Sequence, residues 1–167
     1  GSMLGLAGEV GKAPKELADA MYFLAGQGLT GARAMDALTL SAKASAAGMG
    51  ETKQIAQAMV AIMESYSSTG MTAAHAMDVL TMTVNRGGAE ANTLATSLGR
   101  VTGIAAAAGI EFEEVGAYIA TFTKVIPSAA EAVTSLRALI MNLEKPSEGA
   151  KEALGALGVS VEDLQKS

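Results

Sequence analysis

His75 is the only histidine in the chain, and there is no cysteine. A zinc site at His75 would have to draw its remaining ligands from carboxylates. Within an internal repeat the counterpart of His75 is Arg33, an exchange that points to an exposed helix face and to no metal or catalytic role. The carboxylates stand in suggestive places: Glu111 with Glu114, Glu131 early in its helix, and Asp36 and Asp78 in the repeat. Acids in a first turn complement the helix dipole, which accounts for Glu111, Glu114 and Glu131 without chemistry. Asp36 and Asp78 each follow Arg33 or His75 by three residues, the spacing of a weak surface pair. "AGEVGKA" (Ala7 to Ala13) approaches a phosphate loop, but Leu6 stands where its first glycine belongs and Ala13 where Ser or Thr belongs. No G-x-S-x-G occurs. The expectation is therefore no catalytic, cofactor-binding or metal residues, and no enzyme.

What must these residues sit on? The chain has 167 residues, half of them hydrophobic, which is enough for one domain with a sizeable core. Its aromatics are only Tyr22, Tyr66, Tyr118, Phe23, Phe112 and Phe122. Alanine and methionine take their place, favouring close-packed helices over sheets. Ten methionines could make a plastic binding surface, yet Met21, Met59, Met63 and Met77 fall on apolar stripes and read as core. The net charge is −5, and no Lys/Arg cluster offers a footprint for nucleic acid. The uncharged runs are too short to span a membrane.

Glycines punctuate the chain. Gly28, Gly70, Gly109 and Gly158 are each followed by an apolar and then a polar residue: Leu29-Thr30, Met71-Thr72, Ile110-Glu111 and Val159-Ser160. The glycine suits a helix C-terminus. Thr30, Thr72 and Ser160 suit the next N-cap, and the apolar residue before each suits a staple. This reading predicts helices at 14–27, 30–47, 51–67, 72–86, 89–108, 111–125, 128–144 and 147–157. Pro14 fits a first turn, and Ser128 with Glu131 fits a capping box. Three apolar stripes have helical spacing: Ile55, Met59, Ile62, Met63 and Tyr66; Phe112, Val115, Ile119, Phe122 and Ile126; Ala132, Leu136, Leu139, Ile140 and Leu143. Ala95, Gly99, Gly103 and Ala107 place small residues at every fourth position, which predicts a close helix crossing.

"GLTGARAMDAL" from Gly28 recurs as "GMTAAHAMDVL" from Gly70, 42 residues on, and a weaker echo relates Gly48–Gly70 to Gly87–Gly109 at an offset of 39. Such periods are those of helix-pair repeats. The fold expected is all-α, a compact stack of about eight antiparallel helices in hairpins with an irregular repeat. The repeated phrase then carries architecture and no chemistry. Gly1-Ser2 has the form of a cleavage scar, so residues 1–3 read as a tag remnant. Residues 4–167 read as one helical domain, a fragment of a longer chain.

The paired phrases, the "NRGGAEANTLATSLGRVTGIAAAAGIEFEEVGAYIATF" that follows, and "EAVTSLRALIMNLEKPSEGAKEALGALGVS" occur in an order that resembles the core region of phage tail tape measure proteins, over about residues 14–160. One departure is "VIPSAA" at 125–130, where many members run through a glycine-rich turn. The resemblance implies a structural protein with no catalytic residues to carry over. Such proteins are long and helical, lie in the lumen of the growing tail tube, and set its length as tube protein polymerises. They leave ahead of the DNA at infection. It further implies as partners the tail tube protein, a tail assembly chaperone, tail-tip proteins and other copies of the chain. The location implied is the virion, after assembly in the host cytoplasm. Two other readings fit the composition: a helical-repeat adaptor for protein–protein interaction, and a membrane-active helical module used in DNA ejection.

Overall fold

Gly28, Gly48, Gly70 and Gly109 take left-handed φ angles of 81°, 87°, 75° and 76°, and each ends its helical segment in the same way. The glycine N–H bonds to the carbonyl three residues back. The next N–H bonds five back: Leu29 to Leu24 at 3.1 Å, Met49 to Ala44 at 3.0 Å, Met71 to Tyr66 at 3.4 Å and Ile110 to Ala105 at 2.9 Å. This is the Schellman arrangement, which satisfies the last carbonyls and needs a residue without Cβ strain at the turn. Leu29, Met49, Met71 and Ile110 then pack against the core. The glycine-apolar signature is thus a device for stopping one helix and aiming the next.

A computed structural model describes residues 2–156 of the chain. Its helices are α1 (Met3–Val10), α2 (Pro14–Gly26), α3 (Gly31–Ala46), α4 (Thr52–Ser65), α5 (Ala73–Gly87), α6 (Ala91–Ser97), α7 (Thr102–Ala107), α8 (Phe112–Phe122), α9 (Ala129–Glu144) and α10 (Glu148–Ala156). No strand occurs among the described residues. The fold is all-α, as expected. The turn expected at Gly158-Val159-Ser160, with the last residue of the 147–157 helix, lies outside the described residues.

Two rows of helices make the stack. In the first row α4 packs on α2, α6–α7 on α4, and α9 on α6–α7. The second row is laid on it, with α5 against α3 and α8 against α5. Equivalent helices of successive hairpins run side by side in the same direction. Gly99 and Gly103 face Ala61 and Ser65 in turn, and Val79 to Gly87 track Gly116 to Thr123. Hydrogen bonds that tie neighbours within a row join residues 36 or 37 apart: Thr52 to Glu16, Ser65 to Thr102, and Thr123 to Gly87. Leu17, Leu24, Leu38, Ile55, Met59, Ile62, Leu80, Leu94, Leu98, Phe112, Ile119 and Leu136 fill the interface between the rows.

Three features differ from the sequence reading. First, α1 is an additional helix. Gly5 and Gly8 weaken its intrinsic propensity, but Leu6 and Ala7 are buried where it packs on α2 and α3. Tertiary burial therefore outweighs propensity. Ser2 Oγ caps it by accepting from Gly5 N–H at 3.1 Å.

Second, the helix expected at 89–108 is broken by a 3-10 turn at Leu98–Arg100. Just before it the Ser97 hydroxyl donates to the Thr93 carbonyl at 2.5 Å, and the Thr96 hydroxyl donates to those of Asn92 and Thr93. Such back-bonding bends helices, and Gly99 offers no side chain to resist.

Third, Gly99 and Gly103 face α4 but not closely. A Cβ there would meet Ala61 at 3.8 Å and Ser65 at 4.0 Å, ordinary contacts. The crossing that needs glycine is between α5 and α8. A Cβ on Gly116 would lie 2.5 Å from Thr83 Oγ1 and 3.0 Å from Val79, and one on Gly87 would lie 2.8 Å from the Ala120 Cα.

Candidate functional site

The α5–α8 crossing sets two helix starts side by side. Thr72 caps α5 by accepting from His75 N–H at 3.2 Å, which fixes His75 in the first turn. Glu114 Oε2 accepts from Glu111 N–H at 3.1 Å and braces the start of α8. Between them, His75 Nε2 and Glu113 Oε1 form a hydrogen-bonded pair across the two helices, both about half exposed. The Glu113 carboxyl is held below the ordinary value, first by its own backbone N–H and then by the His75 hydrogen bond.

Beneath the pair lies Tyr66. Its ring is tilted 51° against Phe112 with centroids 5.6 Å apart, and its hydroxyl donates to the Ile110 carbonyl at 3.0 Å. Burial, with Glu113 and Glu114 adding to it, pushes the phenol up to about 12. Tyr66 is therefore a fixed donor at any physiological pH. Thr69 and Thr72 complete a half-open cleft of about 390 Å³ with Glu111, Glu113 and His75 at its mouth.

What can this arrangement do? The hydroxyls around the cleft already have backbone partners: Thr69 donates to the Tyr66 carbonyl at 2.8 Å, and Thr72 accepts from His75. With the phenol protonated, the site offers a His–carboxylate pair and no activated nucleophile. The pair ties the first turn of α5 to the first turn of α8. A second such tie lies one hairpin earlier. There the Thr52 hydroxyl donates to Glu16 Oε1 at 2.5 Å, which together with Lys12 holds that carboxyl below its ordinary value. Lys12 itself lies 3.7 Å from Glu16.

The residues singled out in the sequence are scattered. Asp36 and Asp78 both stand exposed on second-row helices. Among the described residues the expected Arg33–Asp36 and His75–Asp78 pairs do not form; His75 turns instead to Glu113 on the neighbouring helix. Ser128 accepts from Glu131 N–H at 3.3 Å, as the capping box requires of it. Thr30 makes no side-chain cap bond; Gly31 enters α3 with φ +57°, so the first turn does not present its N–H groups to the hydroxyl. Residues of "AGEVGKA" form the end of α1 and the turn at Gly11, with no strand before them. Among the described residues no three His, Asp or Glu side chains gather as a metal site, and no helix is long and apolar enough to cross a membrane.

The His75–Glu113 tie and the Tyr66–Phe112 stack were not singled out in the sequence. The signal available was positional: His75 lies three residues after the Thr72 cap and Glu113 two after the Glu111 cap. They meet only because the two turns lie side by side.

No curated protein and no solved structure matches the chain. One family does, described as phage-related minor tail protein, and the match runs over residues 2–167. With nearly its whole length inside that match, the chain belongs to the phage-related minor tail proteins and is a structural component of the phage tail.

Proposed function

We propose that the chain is the core domain of a tape measure protein, one that helps to set tail length and to nucleate polymerisation of the tail tube. The observation that carries this reading is the ordered series of glycine-apolar-polar helix breaks and paired phrases that resembles the tape-measure core. It runs through residues that the family match also covers. On this reading residues 4–167 are one core domain within a longer chain, and residues 1–3 are a tag remnant. The domain lies in the tube lumen after assembly in the host cytoplasm. It contacts the tail tube protein, an assembly chaperone, tail-tip proteins and other copies of itself. It performs no catalysis, and its turns and ties serve to hold a shape.

The fold narrows the role. As one straight helix 167 residues would reach about 250 Å, whereas the described residues fold into a stack of hairpins. We therefore assign it to starting or anchoring assembly, with ruler length supplied elsewhere in the parent chain.

The test is an in-frame deletion of residues 28–69 in the parent phage or prophage, with tail length read by negative-stain microscopy. The cut joins Gln27 to Gly70, so a Gly-Met-Thr turn stands where Gly-Leu-Thr stood. No tails, or tails of unregulated length, are the expected outcome. Regulated tails shorter by roughly 60 Å, the helical length of 42 residues, would make this region part of the ruler. Regulated tails of unchanged length would remove the tape-measure reading.

A further inference from the structure

Little holds α1 to the stack. Of its eight residues only Leu6 and Ala7 are buried, whereas α4 buries eight side chains along its length. The ion pair from α1 to α3, Lys43 Nζ to Glu9 Oε1 at 2.9 Å, is more than half exposed on both sides and contributes little in water. A helix of this length is marginal on its own. Gly5 and Gly8 weaken it further, each shifting the helix equilibrium about fivefold against alanine. Packing does not demand them. A Cβ on Gly8 would meet nothing within 4 Å, and one on Gly5 would meet only Ser2 Oγ, at 3.4 Å, an ordinary contact.

The joint after α1 is free on one side and fixed on the other. Gly11 ends the helix at φ +66°, and a Cβ there would again meet nothing. Two residues on, Pro14 opens α2 with a ring already set to helical φ, so that turn needs no support from α1. It is also tied to the start of α4. The Thr52 hydroxyl donates to Glu16 Oε1 at 2.5 Å, and Lys12 lies 3.7 Å from the same oxygen. Loss of α1 would therefore stop at Gly11 and leave α2 in place.

We propose that α1 is a strap that detaches as a unit while α2 to α9 stay folded. Its release uncovers the flank of α2 and α3 on which it packs. The device is a property of this chain's own fold and stands independently of the tape-measure reading.

Native-state hydrogen exchange on the full 167-residue chain in low urea tests it. The amides of residues 7–11 bond within α1, the last of them being Gly11 N–H on the Ala7 carbonyl. They should exchange at least about a hundredfold faster than the core amides of α4, at a rate that low urea scarcely changes, as a local opening requires. Amides from Leu17 to Leu24 in α2 should behave like those of α4. Gly8→Ala should slow exchange in α1 about fivefold and leave α4 unchanged. Exchange in α1 as slow as in α4 would overturn the proposal, because α1 would then open only with the whole fold. So would fast exchange that runs on through α2, or a Gly8→Ala effect that α4 shares or α1 lacks.

Discussion

In the folded chain Glu113 accepts from its own backbone N–H and from His75, and both interactions hold its carboxyl below the ordinary 4.5. Glu16 is held down likewise, chiefly by Thr52. A carboxyl depressed in the folded state contributes stability above its unfolded value. As pH falls below about 4.5 the unfolded chain takes up the proton first, and that stability is lost as pH passes down through the folded value. Urea unfolding between pH 7 and 3 should therefore show stability falling from about pH 5 downward, with a shallower fall in Glu113→Gln. Because the His75–Glu113 pair is half exposed, a double-mutant cycle at neutral pH should give a coupling of no more than about 1 kcal/mol. The repeated phrase makes a sharper prediction. Leu38 is fully buried while Asp36 is exposed. Leu38→Ala should cost roughly 2–5 kcal/mol by chemical denaturation, and Asp36→Ala should stay within about 0.5 kcal/mol of the parent.

Glycines inside helices divide by what stands opposite them, and the division predicts opposite signs for one chemical change. Gly116 lies mid-α8 against Thr83, whose hydroxyl is itself bonded to the Val79 carbonyl at 2.8 Å. Neither a bonded β-branched side chain nor Val79 can step aside cheaply. The helix-propensity gain of Gly116→Ala, about 1 kcal/mol, should be outweighed by overpacking of roughly 1–3 kcal/mol. Gly103 in α7 has its nearest neighbour 4.0 Å from a built Cβ. Gly103→Ala should therefore stabilise the protein by up to about 1 kcal/mol. Thermal melts of the two variants beside the parent check both signs. Equal effects would mean that the α5–α8 crossing is looser than its geometry.

The rows of hairpins also set how the whole molecule should scatter X-rays. A stack of this chain length should have a radius of gyration of roughly 15 Å. One continuous helix of about 250 Å would give several times that value. Small-angle scattering on the isolated chain distinguishes the two, and the compact value is expected. Repeating the measurement with tube protein asks whether the stack opens when it is housed. A folded anchoring module should keep its radius, and a large increase would favour an extended form in the tube.

Helix, turn and hairpin were legible in the sequence because their causes are local. A glycine at a left-handed position, an apolar residue after it and a hydroxyl next, as at Gly70-Met71-Thr72, stop one helix and start another whatever the rest of the chain does. Stripes such as Ile55, Met59, Ile62 and Tyr66 reveal which face is buried for the same reason, since periodicity is a property of the segment. The candidate site was not legible: its pairs lie 38 residues apart for His75–Glu113 and 46 for Tyr66–Phe112. Local rules assigned His75 to Asp78, its neighbour on the same helix, and the small-residue stripe to the tightest crossing. Only the stacking of α8 beside α5 decided otherwise. It brought Glu113 within reach of His75, and it placed the closest backbone approach at Gly116 and Gly87, where side chains from two separate hairpins compete for one space.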